Sequence, residues 1–334
     1  MVIGEAAILS SMRKRSPWAV RLCVRIPLTL AVSGSIALTA QAAPPNVVFF
    51  LADDLGIKDL AVYGSSFHET PNLDRLAKEG MLFTNAYSAC PVCSPTRAAI
   101  QTGRWPQRSG ITDYLDAPTP RSSWTLNTRH RSADFAKRLE LSEVTLGDAF
   151  RANGYAAFFA GKWHLGPVGF FPEDQGYDIN KGGLDLGGPY GGGKYFSPFG
   201  NPRLTDGPLG EHLADRLAQE TSSFIRDNRS RPFFAMYSLY DVHTPLMGKP
   251  DLVRKYEAKR ARLNLASSWK SDQPRVSRLT HDHAVYAAMV ETMDSAVGQV
   301  LKTLDDLGLS GSTIVIFTSD NGGLSTYHRA YSSS

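Results

Sequence analysis

Asn46-Val-Val-Phe-Phe-Leu51 reads as a strand, and it runs straight into two adjacent carboxylates, Asp53 and Asp54. An uninterrupted apolar run suits a strand covered on both faces, as in a parallel sheet under helices. Three later segments repeat the pattern: Ala156–Ala160, Phe233–Tyr237 and Thr313–Phe317. Helical patterns separate them. Pro71–Lys78 follows Thr70 as a cap with Pro at the first position, and Gly80 lies beyond its end. Ser94–Thr102 is closed by Gly103, and Thr145 caps a helix through Ala152. Glu211–Asp227 is amphipathic. His281–Leu307 carries Val285, Met289, Met293, Val297, Leu301 and Leu304 at helical spacing. Strands alternating with helices predict an α/β fold with a mostly parallel sheet. The glycine-rich stretch 182–193 reads as loop.

Each of the four strands ends on residues capable of chemistry. The first leads to Asp53 and Asp54, the second to Lys162 and His164, the third to Asp241 and His243, the fourth to Asp320 and Asn321. Sites in open α/β sheets form outside the carboxyl ends of the strands, so one shared sheet would bring all four groups to one rim. Asp53, Asp54, Asp320 and Asn321 offer oxygen alone, which suits Ca²⁺ or Mg²⁺. Carboxylates packed together also repel unless a cation intervenes. Taken singly, the same residues could be helix caps and turns.

Cys93-Ser-Pro-Thr-Arg97 places a cysteine at a helix N-terminus, where free N–H groups and the helix dipole favour anions. That setting is expected to lower the thiol pKa, with Arg97 one turn on to hold an anionic centre. Cys90 lies three residues upstream, so a redox pair, half a metal site or a disulfide are the other readings of Cys-Pro-Val-Cys.

With Ala98-Ala99 and Thr102-Gly103-Arg104, the Cys-x-Pro-x-Arg motif resembles the signature of the type I, formylglycine-dependent sulfatases of the alkaline-phosphatase-like superfamily. Pro45-Asn-Val-Val-Phe-Phe-Leu-Ala-Asp-Asp54, Thr70-Pro-Asn-Leu-Asp-Arg-Leu-Ala77, Gly161-Lys-Trp-His-Leu-Gly166 and Thr318-Ser-Asp-Asn-Gly322 resemble further blocks of that family, in its order, across 45–325. The resemblance implies sulfate-ester hydrolysis by a sheet flanked by helices. It implies that Cys93, oxidised to formylglycine and hydrated, is nucleophile and metal ligand. Asp53, Asp54, Asp320 and Asn321 would hold Ca²⁺. Arg97 and His164 would orient the hydrated aldehyde, His164 helping to expel sulfate. Lys162 and His243 would bind sulfate, His243 near the leaving oxygen as general acid. A formylglycine-generating enzyme becomes a maturation partner, and sulfated carbohydrate the expected substrate. The family also has a sulfate-binding lysine downstream of the Asp-Asn-Gly block and a smaller C-terminal domain. No lysine follows Asn321 here, so the expectation is an incomplete catalytic domain over 43–334 that lacks the smaller domain. Phosphonate or phosphate monoester hydrolysis, and an inactive metal- or glycan-binding remnant, are the alternatives.

Residues 1–42 read as a secretory signal peptide: Arg13, Lys14, Arg15, Arg21 and Arg25, then an apolar run from Ile26, then Ala40-Gln41-Ala42. A secreted or periplasmic protein follows. This segment holds five basic residues and one acid, a net charge equal to the whole chain's +4. The remainder is neutral, which removes the electrostatic case for nucleic acid. One basic stretch stands out, 249–278, which could face a polyanion or be a solvated helical insertion.

Overall fold

The computed structural model describes residues 43–117, 133–272 and 275–327; the expected signal peptide lies outside them. Among the described residues no helix is long and apolar enough to cross a membrane. The core is a five-stranded sheet built from β1 (Asn46–Ala52), β2 (Ala156–Gly161), β3 (Ile179–Lys181), β4 (Phe233–Ser238) and β7 (Thr313–Ser319), in the order β3-β2-β4-β1-β7. Every pairing in it is parallel. The four anticipated strands therefore share one sheet, and all their carboxyl ends lie along one edge.

Side chains alternate across the strands and divide the core in two. Val48, Phe50, Phe158, Ala235 and Tyr237 face one layer, which α5 (Leu213–Asp227) and α7 (Ala284–Asp306) cover. Val47, Leu51, Phe159, Phe234 and Met236 face the other, beneath α2 (Cys93–Thr102) and α4 (Leu146–Ala152). A fully buried Phe or Leu in such a layer contributes about 1.5–3 kcal/mol relative to exposure. Strand β7 is the exception. It is an edge strand with Ile314 and Ile316 exposed on one side, while Val315 and Phe317 pack inward.

Several helix boundaries were readable and some of their causes were not. Thr145 caps α4 as expected, accepting from Asp148 N–H. Thr70 does not cap α1 (Pro71–Glu79); its hydroxyl accepts from Ala61 N–H and donates to Asp74. The first-turn N–H groups of Asn72 and Leu73 go instead to the Asp294 carboxylate on α7, at 3.1 and 2.8 Å. Tertiary packing supplies the cap that local sequence was expected to supply. Helix α5 starts two residues later than read, with His212 as its cap through Nδ1.

The basic stretch splits into α6 (Pro250–Arg262) and the strands β5 (Trp269–Asp272) and β6 (Arg275–Arg278). A small antiparallel sheet joins these two to β8 (Thr326–Tyr327). Much of its charge is neutralised locally. Lys255 pairs with Glu69 and Glu291, Lys259 with Glu69, Lys249 with Asp215, and Arg260 with Asp282. A short one-turn helix, α3 (Pro106–Ser109), follows α2.

Candidate active site

Strand ends and one helix N-terminus build the site. Leaving β1, Asp53 is fully buried, and Asp54 adopts a left-handed backbone, φ 58°. After β2, Lys162 is fully buried and His164 is also left-handed, φ 54°. Only four non-glycine described residues have positive φ, and two of them stand here. Such conformations cost about 1–3 kcal/mol each and persist where surrounding structure enforces them. Gly161 ends β2 at φ 97°, and a Cβ there would lie 1.8 Å from the Ser238 carbonyl oxygen. This contact lets β2 and β4 deliver Lys162 and Ser238 side by side.

Arg97 is the hub. Its Nη2 lies 2.7 Å from Asp320 Oδ2 and 3.2 Å from Asp53 Oδ1. Its Nε donates to Asp320 Oδ2 at 2.9 Å, and its Nη1 to Ser238 Oγ and the Lys162 carbonyl at 2.7 and 3.0 Å. Lys162 Nζ donates to both oxygens of Asp53, at 2.9 and 2.7 Å. Asn321 Nδ2 donates to Asp54 Oδ1 at 2.6 Å, and Asp54 N–H to Asp320 Oδ1 at 3.2 Å. Asp53 and Asp320 thus face Arg97 and Lys162, while the Asp54 carboxylate is held by Asn321. Burial works against the charges on Lys162 and Arg97, but the carboxylates outweigh it and both pKa values are raised.

Cys93 opens α2, whose first turn has no side-chain cap. One donor atom from each of Asp53, Asp54 and Cys93 lies within 4.8 Å of the others. The expected acidic thiol is corrected here. Burial pushes the Cys93 thiol up to about 12; Lys162 and Arg97 pull it down, and Asp53 and Asp320 add to the rise. Desolvation between carboxylates thus outweighs the helix terminus.

The two histidines differ. His164 is buried, which pushes its pKa down to about 4 against the pull of Asp116, whose Oδ2 lies 3.4 Å from Nε2. His243 keeps its Nδ1 2.6 Å from the Thr244 carbonyl, which fixes the proton there and leaves Nε2 to face Asp54 Oδ2 at 3.8 Å. Asp241 behaves otherwise than its strand-end position suggested. Its backbone pairs with that of Asp53, while its carboxyl turns away from the rim toward His212 Nε2, 4.0 Å off. Burial raises the Asp241 pKa to about 8. Ser238 and Asp116 were not picked out from sequence. Ser238, as the polar last residue of β4, carried the same strand-end signal as the others; Asp116, in a loop, carried none.

The sulfatase family model matches residues 45–333. The chain belongs to the sulfatase family. It is 34% identical to N-acetylgalactosamine-6-sulfatase of Rattus norvegicus over 320 residues, covering 88% of this chain and 53% of that protein. Arylsulfatase A of Homo sapiens is 32% identical, with 88% and 55% covered. The chain spans about half the length of these relatives. Among solved structures, Ps i-CgsB superposes with a TM-score of 0.64 at 28% identity, over 84% of this chain and 59% of that one. The parallel sheet under helices is thus the sulfatase, alkaline-phosphatase-like arrangement.

Proposed function

We propose that this sulfatase-family chain hydrolyses sulfate esters of carbohydrates at the rim built from Asp53, Asp54, Cys93, Arg97, Lys162, His164, His243, Asp320 and Asn321. The observation that carries the reading is the convergence of four strand ends and the uncapped α2 N-terminus on the Arg97 network. The relative from Rattus norvegicus is named for a sulfated sugar, and Ps i-CgsB has a structure in complex with a neocarrahexaose.

The residues fit a hard divalent cation. Asn321 Oδ1 is buried with no partner among the described residues, and the Asp53, Asp54 and Cys93 donors already cluster. Asp53, Asp54, Asp320, Asn321 and residue 93 would hold Ca²⁺, which tolerates an irregular oxygen cage better than Mg²⁺ does. When bound, the ion polarises the sulfate oxygens. Cys93, converted to formylglycine by a generating enzyme and hydrated, would supply the attacking hydroxyl. Arg97 and Lys162, already paired to the carboxylates, hold position 93 and the anion in place. His243, with Nδ1–H held on the Thr244 carbonyl, would act as general acid when its ring is doubly protonated, giving the Nε2 proton to the leaving oxygen and returning to the neutral Nδ1–H form. His164, kept neutral by burial, accepts the proton released when sulfate departs. Residues 1–42 would direct export to the periplasm or beyond.

The test is mass spectrometry of the tryptic segment 79–97 from chain co-expressed with a formylglycine-generating enzyme, followed by aryl sulfate and aryl phosphonate turnover. An aldehyde at position 93 with faster sulfate turnover, lost in Cys93→Ala, is expected. An intact thiol beside a converted control sulfatase ends the formylglycine mechanism. Faster phosphonate turnover reassigns the substrate, and an aldehyde without turnover reduces the chain to a binding remnant.

A further inference from the structure

A second group of metal-capable side chains stands apart from the rim. Asp59, the last residue of a one-turn 3-10 helix (Ile57–Asp59) beyond Asp53 and Asp54, meets His68 and His281, and one donor atom from each lies within 4.8 Å of the others. Asp59 and His68 are buried; His281 is partly open to solvent. The carboxylate is held from behind, its Oδ2 accepting from Gly56 N–H at 3.0 Å and Tyr286 O–H at 2.7 Å. Its other oxygen, Oδ1, lies 3.4 Å from His281 Nε2. That spacing is close to the edge of a tetrahedron whose ligands sit about 2.0–2.1 Å from its centre. His68 Nδ1 rests 3.0 Å from the Asp59 carbonyl, which assigns that nitrogen the proton. Its Nε2 lone pair is left buried with no partner among the described residues. The carbonyl contact sets the tautomer in which Nε2 is the ligand atom, while Nδ1 also lies 3.9 Å from Asp59 Oδ1, so the ring would turn to present Nε2 to an ion. The two imidazoles are neighbours, ring centroids 4.9 Å apart and tilted by 31°. The nearby cation Lys259 is engaged by Glu69 at 2.7 Å and the Phe67 carbonyl at 2.8 Å.

We propose that Asp59, His68 and His281 form a second metal site, for a divalent transition ion of the zinc class, with one position open to water beside His281. Two imidazoles and one carboxylate suit such an ion, whereas the oxygen-dominated rim suits calcium. The ion would clip the loop beyond β1 to the N-terminus of α7. This site does not rest on sulfatase chemistry, and its test needs no turnover.

The experiment uses the full chain with Cys23, Cys90 and Cys93 replaced by serine, so that no thiol competes. The protein is stripped with chelator, given excess Ca²⁺ for the rim, and titrated calorimetrically with Zn²⁺ at neutral pH. One zinc per chain and a raised Tm are expected, with binding weakened by at least about tenfold in the part-exposed variant His281→Gln. His243→Gln should bind zinc as the parent does, and Co²⁺ should show the intense visible absorption of a low-coordinate site. No zinc bound by protein with native near-UV circular dichroism would overturn the proposal. So would binding that survives His281→Gln but is lost with His243→Gln, since that places the ion on the rim.

Discussion

The rim and the α6 surface are both rich in charge, yet they use it in opposite ways. On α6, Lys255 and Lys259 reach carboxylates at 2.6–2.7 Å while remaining partly in water. Exposed pairs of this kind contribute about 0–1 kcal/mol, because water screens them and ordering long side chains costs entropy. At the rim, Asp53, Arg97, Lys162 and Asp320 are each at most 2% exposed, and Arg97 alone reaches two carboxylates, a hydroxyl and a carbonyl. Buried charge is a poor source of stability but is costly to leave unpaired. Pairing count therefore says little by itself; burial decides what a charge can do.

The sharpest break should come from Arg97→Met, which strands the Asp320 carboxylate. We expect about 3–5 kcal/mol of lost stability in urea unfolding. A loss below about 1 kcal/mol would put the rim in the same class as α6. Next comes removal of the calcium proposed for the rim. Chelation should lower Tm, and calcium at about 100 times its Kd should return roughly 2.7 kcal/mol. Asp320→Asn should blunt that recovery, while Lys255→Ala leaves it intact.

A smaller effect concerns the buried pair beneath the rim. Burial lowers the His212 pKa from its usual 6.5 to about 3, with Lys249 adding to the fall. Below pH 6.5 the unfolded chain takes up a proton that the folded chain refuses, so this group's contribution is full above 6.5 and is lost as pH falls toward 3. Asp241, raised to about 8, stays protonated in the folded chain across that window, and it is present in parent and variant alike. Asparagine can still cap α5 but does not titrate. His212→Asn should therefore lose less stability on acidification than the parent, by up to about 1.4 kcal/mol per pH unit. Smallest of all, Lys255→Ala should cost under about 1 kcal/mol, and less still in high salt.

Most of the sheet could be read because β1, β2 and β4 are buried on both faces, so their apolar runs are continuous. Strand β3 has only three residues, too few to show a period, and the antiparallel sheet of β5, β6 and β8 is short and polar. At the site, residues standing directly after strands were legible by position. Two things were not. The direction of Asp241 depends on how its backbone pairs with that of Asp53, and the Cys93 thiol depends on how deeply the rim is desolvated. Both are properties of tertiary packing, as is the Asp294 cap on α1.

The pairing of β1 with β7 has a consequence in time. Arg97 meets Asp320 across 223 residues of chain, and β1 lacks its outer neighbour until β7 exists. At about 5–20 residues per second of synthesis, roughly 10–45 s separate the making of α2 from the making of the strand that completes its surroundings. Through that interval the segment around Cys93 has no finished pocket to withdraw into. The conversion proposed for Cys93 would fall within that interval.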